Sequence, residues 1–170
     1  MDKTFYIFLD IDGVLYDWTF LKKEMDSARI KKGTILKHFK PEAVNALNHL
    51  IKELSTHYKV NLVISSTWRR NLLITEVLLR KNGLKYDGVI TSTPISPTPQ
   101  KRGLEILQYL NNKQSYDFVI IDDELFDYEQ YFNNSKIIKT NIHTTALSMN
   151  MVNDFLQTKL SNNKCSISEK

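Results

Sequence analysis

The stretch FLDIDGV at residues 8–14 ends an apolar run in carboxylates, and VIIDD at residues 119–123 does the same. This pattern is typical of a buried parallel strand whose last residues open at the carboxyl edge of a sheet, where α/β sheets bind ligands. Side chains alternate along a strand, so we expect Asp10 and Asp12 on the same side. Converging carboxylates need a cation, and hard oxygen ligands favour magnesium. The sequence therefore predicts a magnesium site at this edge.

The composition is that of a single soluble domain. A chain of 170 residues, 42% apolar and 25% charged, has room for one full hydrophobic core. We predict a domain over residues 1–160 and a polar C-terminal tail over 161–170. The lone Cys165 excludes an intramolecular disulfide and a cysteine zinc cluster. The apolar stretch 5–9 is too short for a signal peptide or membrane span, which predicts a cytoplasmic protein without a membrane partner.

Short strands rich in β-branched and aromatic residues alternate with helices along the chain. The strands are predicted at residues 4–10, 60–65, 88–91, 118–122 and 136–139. The helices are predicted at residues 41–57, 69–81 and 101–110, with a last one that begins at Thr144 or Thr145. This alternation predicts an α/β domain whose parallel sheet is covered on both faces.

Groups that suit an anion stand at two further positions on the same edge. The hydroxyl run SST at residues 65–67 follows a predicted strand and begins a helix, where N–H groups favour an anion. Arg69 and Arg70 in the first turn oppose the helix dipole, which indicates an anionic ligand, although both can instead be surface residues. Lys101 also carries positive charge at a predicted helix start.

Taken in order, these features resemble the motifs of the haloacid dehalogenase (HAD) superfamily of aspartate-nucleophile phosphatases. The first motif, DxDx[TV] after a strand, matches residues 10–14. The second, a strand that ends in Ser or Thr, matches Ser65, and the third, a lone Lys or Arg, matches Lys101. The fourth, an apolar run that ends in two acidic residues with a later Asp, matches residues 122–123 and then Asp127.

The segment SSTWR at residues 65–69 also resembles the phosphatase-like domains associated with bacterial RNA repair proteins. The superfamily resemblance implies a Rossmann-like three-layer sandwich with a mainly parallel sheet and a minimal cap or none. It also implies a magnesium-dependent phosphatase that splits a phosphomonoester through an aspartyl phosphate.

The same resemblance implies a role for each matched residue. Asp10 is the nucleophile, and Asp12 protonates the leaving oxygen and then deprotonates the attacking water. The magnesium ligands are Asp10, the backbone carbonyl of Asp12 and Asp123, with Asp122 direct or in the outer shell. Asp127 hydrogen-bonds a water on the metal. Ser65 and Lys101 bind phosphoryl oxygens, and Lys101 is also catalytic, because it holds the anionic nucleophile in place. From their placement beside Ser65, we add Ser66 and Arg69 as predicted phosphate ligands.

Basic residues are concentrated beside the predicted site. Residues 22–40 carry seven basic and two acidic side chains, a surplus of +5 against +4 for the whole chain. Relatives in the superfamily place a flap or cap here, so we predict a basic flap or small cap over residues 17–40. Such a flap favours a large or polyanionic phosphorylated substrate, namely a nucleic-acid end, a nucleotide or a phosphoprotein.

Several alternatives stay open on the sequence alone. Arg102 can replace Lys101, Ser66 can exchange roles with Ser65, and Trp68 can be a packing residue or a stacking platform. The function can also belong to a different class. In that class the chain is a catalytically idle module that binds nucleic acid or another polyanion through its basic flap.

Overall fold

A parallel β-sheet forms the centre of the molecule. The computed structural model describes residues 3–30, 39–96 and 101–165. The strands are β1 (Thr4–Leu9), β2 (Lys59–Ile64), β3 (Thr91–Ser92), β4 (Tyr116–Asp122) and β5 (Ile137–Lys139). They lie in the order β3-β2-β1-β4-β5, and all neighbours are parallel. The structure confirms the predicted parallel α/β sheet.

Helices connect the strands. They are α1 (Trp18–Ile30), α2 (Pro41–Ser55), α3 (Leu72–Lys81), α4 (Arg102–Leu110) and α5 (Met149–Cys165). Short 3₁₀ turns lie at Thr67–Asn71, Tyr128–Gln130 and Asn134–Lys136. Among the residues that the structure describes, none of the helices is long and apolar enough to cross a membrane.

The two faces of the sheet have separate hydrophobic cores. On one face Phe5, Ile7 and Leu9 of β1 belong to a core with apolar residues of α2 and α5. On the other face Tyr6 and Phe8 belong to a core with apolar residues of α4. Because side chains alternate along β1, a strand that is apolar throughout fills both cores. The result is the Rossmann-like three-layer sandwich that the sequence predicts.

The register of the central strands brings three strand ends to one level. Leu9, the last residue of β1, pairs with the last residue of β2 and with Ile121 of β4. The next positions on these three strands are Asp10, Ser65 and Asp122. After β1 the chain adds β2 and β3 on one side of β1, and it then crosses over to add β4 on the other side. A crevice opens at the carboxyl ends of the strands where this change of direction occurs.

The edge strand β3 lies later in the chain than predicted. It comprises Thr91–Ser92 and not residues 88–91. The segment before it contacts β2 through a side chain, because the Tyr86 hydroxyl donates to the Val60 carbonyl at 3.1 Å. Backbone pairing with β2 begins at Thr91, which pairs with Val63.

The last helix also begins and ends later than predicted. Thr144 and Thr145 lie in the turn after β5, and Ser148 caps the helix, because its Oγ accepts from the backbone N–H three residues later at 3.4 Å. Helix α5 continues through Cys165. It therefore extends into the segment 161–170 that the sequence predicts to be a polar tail.

The segment predicted as a flap begins with helix α1 and is anchored at both ends. Trp18 N donates to Ile142 O at 2.8 Å, and Lys40 N donates to Leu15 O at 2.8 Å. The buried Asp17 carboxylate joins these ends, since it accepts from Lys40 Nζ at 2.8 Å. Part of the predicted basic charge lies outside the described residues, at Lys31, Lys32 and Lys37.

The Asp17 carboxylate generates a prediction about acid stability. Burial raises the pKa of Asp17, but hydrogen bonds from Lys40, Thr19 and two backbone N–H groups outweigh it and lower the pKa to about 2. A depressed carboxyl pKa contributes stability above about pH 4 that is lost as the pH falls toward about 2. We expect Asp17→Asn to lower the free energy of unfolding near neutral pH by about 2 kcal/mol. Urea denaturation at a series of pH values measures this difference, which should disappear in acid.

Asp87→Asn is the matched control, because Asp87 is exposed. That variant should unfold like the wild type at every pH. A difference between Asp17→Asn and the wild type that stays constant from neutral pH to acid would contradict the assignment of a depressed pKa to Asp17.

Candidate active site

Three carboxylates meet at the carboxyl ends of β1 and β4. Asp10 follows the last residue of β1, Asp122 ends β4, and Asp123 is the next residue. One oxygen of each carboxylate lies within 4.8 Å of the others. Asp10 and Asp122 are buried, whereas Asp123 is partly exposed. The acidic cluster that the sequence predicts is therefore present.

A buried guanidinium lies between two of these carboxylates. Arg102 Nη1 is 2.6 Å from Asp10 Oδ1 and 3.0 Å from Asp122 Oδ2. The ring of Phe126 lies against the same guanidinium, with its centroid 4.4 Å away. Among the described residues, the cation in contact with Asp10 is thus Arg102, and Lys101 precedes it at the N-cap position of α4.

The cluster keeps an excess of negative charge. With all three carboxylates ionised, the single Arg102 guanidinium would leave two negative charges uncompensated. Burial, followed by the charge of Asp122, raises the pKa of Asp10, and burial likewise raises the pKa of Asp122 and Asp123. The guanidinium only partly opposes the shifts of Asp10 and Asp122. An oxygen-lined cluster with two surplus charges fits a divalent cation such as magnesium.

Asp122 uses both of its oxygens to hold neighbouring groups. Oδ1 accepts from the backbone N–H of Glu124 at 2.9 Å. Oδ2 accepts from the Tyr128 hydroxyl at 2.6 Å, in addition to its contact with Arg102. The Tyr128 ring is fully buried. These contacts suit an orienting carboxylate in the outer shell of a metal, one of the two roles that the sequence left open.

Gly13 makes room for Asp123. Its φ of +71° lies in the left-handed region, which residues with a side chain rarely adopt. A Cβ at this position would lie 2.5 Å from Asp123 Cγ. The glycine therefore allows the loop after β1 to approach the end of β4, and it brings Asp123 beside Asp10.

Two aromatic side chains donate hydrogen bonds to Asp12. The Tyr16 hydroxyl donates to Asp12 Oδ1, and Trp68 Nε1 donates to the same oxygen at 3.0 Å. The Trp68 ring also packs on Phe39, with ring centroids 5.8 Å apart. Trp68 thus combines packing with a polar contact to the predicted general acid.

The two serines after β2 have different surroundings. Ser66 Oγ accepts from Trp68 N at 3.4 Å, and the Ser66 hydroxyl is near enough to Asp10 to lower the pKa of that carboxyl slightly against the larger effect of burial. Ser65 is fully buried, and its Oγ has no hydrogen-bond partner within the described part of the chain. Of the two, Ser66 is the one whose hydroxyl influences the pKa of the predicted nucleophile.

Arg69 forms a buried ion pair instead of presenting a free guanidinium. Its Nη2 lies 2.7 and 2.8 Å from the two carboxylate oxygens of Glu105, and its Nη1 donates to Ser65 O at 2.6 Å. The side chains of Arg69 and Glu105 are only 8% and 5% exposed. Glu105 also accepts from Ser96 N at 2.7 Å. Arg69 therefore joins the end of β2 to α4, and its contact with a phosphate stays a prediction.

Asp127 caps helix α4. Its Oδ1 accepts from Gly103 N at 2.6 Å, and its Oδ2 accepts from Leu104 N at 3.4 Å. A carboxylate at a helix N-terminus satisfies free N–H groups and complements the helix dipole. Asp127 therefore positions the helix that begins with Arg102, whereas the family resemblance implies a contact with a metal-bound water.

Sequence reasoning missed three residues that contact the site residues. Glu105 could have been identified from the sequence, because it is an acidic residue between apolar positions on the predicted helix 101–110. Tyr16 and Tyr128 could not, since their contacts with Asp12 and Asp122 depend on how two loops turn back on the sheet.

One comparison with known proteins identifies the family. A family model described as the HAD domain in Swiss Army Knife RNA repair proteins matches residues 6–152, from β1 into α5. Comparisons with curated proteins and with solved structures gave no match. The matched range contains every residue of the acidic cluster and the whole parallel sheet except the first residues of β1. The chain therefore belongs to the family of HAD domains in Swiss Army Knife RNA repair proteins, and it has the fold of a HAD-type hydrolase.

Proposed function

We propose that this domain is a magnesium-dependent phosphomonoester hydrolase in which Asp10 forms an aspartyl phosphate. One observation carries the proposal. The buried Asp10 carboxylate is in contact with Arg102, and it lies within 4.8 Å of oxygens of Asp122 and Asp123. This arrangement combines a fixed nucleophile with a site for a divalent cation. Membership of the HAD family supports the hydrolase class.

The oxygen donors of the site suit magnesium better than zinc, which prefers nitrogen and sulfur ligands. Asp10, Asp123 and the backbone carbonyl of Asp12 would hold the ion, and Asp122 would orient its surroundings. When bound, magnesium neutralises the charge of the phosphate and reduces its repulsion from Asp10.

The residues of the chain then carry out two displacements. Asp10 attacks phosphorus as the bond to the ester oxygen breaks, and Asp12 gives that oxygen its proton. Asp12 next takes a proton from the water that attacks the aspartyl phosphate, which releases inorganic phosphate and restores Asp10. Arg102 holds the nucleophile in place through its contact with the carboxylate, and Ser66 remains a proposed ligand of the phosphoryl oxygens. Lys101, at the start of α4, and the buried Ser65 remain proposed ligands of the phosphoryl oxygens.

The substrate that we assign to this site is a terminal phosphate of a nucleic acid. The matched family is described in RNA repair proteins. Helix α1 begins beside the carboxyl edge of the sheet, and its Lys22 and Lys23 are exposed. Exposed lysines attract an extended chain of phosphates much more than a small phosphoester. The charge of the segment therefore favours an oligonucleotide over a free nucleotide.

Two alanine variants separate metal binding from proton transfer. Asp123→Ala should raise the magnesium concentration for half-maximal activity by about tenfold, because it removes a ligand, and its rate should recover partly at high magnesium. Asp12→Ala should lower kcat about 10²-fold to 10⁴-fold at every magnesium concentration, because it removes the general acid. Release of phosphate from an end-phosphorylated oligoribonucleotide measures both effects.

Asp87→Ala is the control for these variants, since Asp87 is an exposed carboxylate outside the cluster. Equal magnesium dependence in Asp123→Ala and Asp12→Ala would show that the two roles are wrongly assigned. A wild-type protein that binds the oligoribonucleotide and hydrolyses no phosphoester with magnesium would instead indicate an idle polyanion-binding module.

Charge reversal on α1 tests the substrate class. Changing both Lys22 and Lys23 to Glu should raise KM for an end-phosphorylated oligoribonucleotide at least ~5-fold, and more at low salt, where screening is weak. Hydrolysis of para-nitrophenyl phosphate should change less than ~2-fold, because the site residues are untouched.

The matched control reverses Lys52 and Lys59, two exposed lysines near the opposite edge of the sheet. That variant has the same net charge as the α1 variant and should keep the wild-type KM. If both double variants raise KM equally, the effect comes from total charge and α1 does not contact the substrate.

A further inference from the structure

We infer that Tyr16 and Trp68 are positioning residues that hold one carboxylate oxygen of Asp12 and leave the other oxygen to transfer the proton. The inference rests on the proposed function, because it concerns the proton that Asp12 gives to the leaving group. It adds Tyr16, which lies outside the matched motifs, it gives Trp68 a role in the reaction, and it assigns the proton transfer to one atom of Asp12.

The two aromatic hydrogen bonds reach the same carboxylate oxygen of Asp12. Both aromatic donors bind Asp12 Oδ1. Within the part of the chain that the structure describes, Asp12 Oδ2 receives no side-chain hydrogen bond of this kind. Two donors on one oxygen occupy its lone pairs and fix the plane of the carboxylate. The proton that Asp12 exchanges with a substrate therefore belongs on Oδ2.

The two donors reach Asp12 from different parts of the fold. Tyr16 is four residues further along the same loop, whereas Trp68 is 56 residues away, in the 3₁₀ turn after β2. Asp12 is only partly buried, so packing alone does not fix its side chain. Hydrogen bonds from two separate segments restrict its rotation in a way that one local donor does not.

The indole is itself held firmly. Its ring packs on the buried Phe39, and the Thr75 hydroxyl donates to the Trp68 carbonyl at 3.0 Å. The Trp68 backbone N–H also donates to Ser66 Oγ at 3.4 Å. The residue whose indole contacts Asp12 is thus held both by ring packing and through its own backbone.

The proton balance follows from this geometry. As the Asp10 oxygen bonds to phosphorus and the ester bond breaks, the proton on Asp12 Oδ2 moves to the leaving oxygen, so that the alcohol departs neutral. The Oδ2 anion then accepts a proton from water while that water displaces Asp10 from phosphorus. Tyr16 and Trp68 keep their own protons throughout and act only by orienting Asp12.

The test compares substrates that differ in their need for a general acid. Trp68→Phe and Tyr16→Phe remove one donor each and keep an aromatic ring. Each should lower kcat/KM for glycerol phosphate, whose alkoxide leaves poorly, by about 10-fold to 100-fold. Each should lower kcat/KM for para-nitrophenyl phosphate, whose leaving group needs little protonation, by less than ~3-fold. The double variant should lose no more than Asp12→Ala.

Trp18→Phe is the matched control, because Trp18 is the only other tryptophan in the sequence and is 53% exposed. It should leave both substrates at wild-type kcat/KM. If Trp68→Phe and Tyr16→Phe instead lower kcat/KM equally for both substrates, the two aromatics support the fold or the site in general, and the inference is overturned. Wild-type values for both variants overturn it as well.

A second measurement does not depend on activity. The two tryptophans give two indole N–H resonances, which Trp68→Phe assigns, and Asp12→Ala should shift the Trp68 resonance upfield while that of Trp18 stays in place. If the wild-type enzyme is active but Asp12→Ala leaves the Trp68 resonance unshifted, only the positioning inference is overturned. If Asp12→Ala shifts the Trp68 resonance but the wild-type protein hydrolyses no phosphoester, the proposed function is overturned. The contact then has no role in catalysis.

Discussion

The ion pair of Arg102 with Asp10 and Asp122 is the interaction on which the rest of the site depends. Two buried carboxylates at neighbouring strand ends repel each other, and each loses hydration on burial. One guanidinium, 14% exposed, contacts both and makes this arrangement possible in the folded chain. Breaking a buried pair of this kind costs about 3–5 kcal/mol, because it leaves a charge without a partner. The Asp10 carboxylate, which we propose as the nucleophile, is thus held in place by a residue of the chain itself.

Several polar contacts place the helix that carries this guanidinium. Asp127 caps the N-terminus of α4, and the buried pair of Arg69 with Glu105 ties the same helix to the end of β2. Asp127 and the Arg69–Glu105 pair therefore hold Arg102 at its position beside Asp10. A domain of this size obtains a precise site by fixing the first turn of one helix from two sides.

The sequence predicts the sheet and the acidic cluster because both follow from local rules. Apolar runs that end in carboxylates place Asp10, Asp122 and Asp123 at adjacent strand ends. This placement does not depend on the conformation of the loops. The choice between Lys101 and Arg102 depends on the rotation of α4 about its axis, which tertiary contacts decide. Tyr16 likewise meets Asp12 only through the turn of a loop, and periodicity carries no information about such turns.

Mass spectrometry of the enzyme during turnover tests the central claim most directly. Asp12→Ala, which slows attack by water on the intermediate, is mixed with para-nitrophenyl phosphate and magnesium and quenched in acid. We expect a peptide that carries one phosphoryl group on Asp10, labile to hydroxylamine, and no such label in Asp10→Asn. Release of nitrophenol without a label on Asp10, or with the label on another residue, would contradict an aspartyl phosphate at this site.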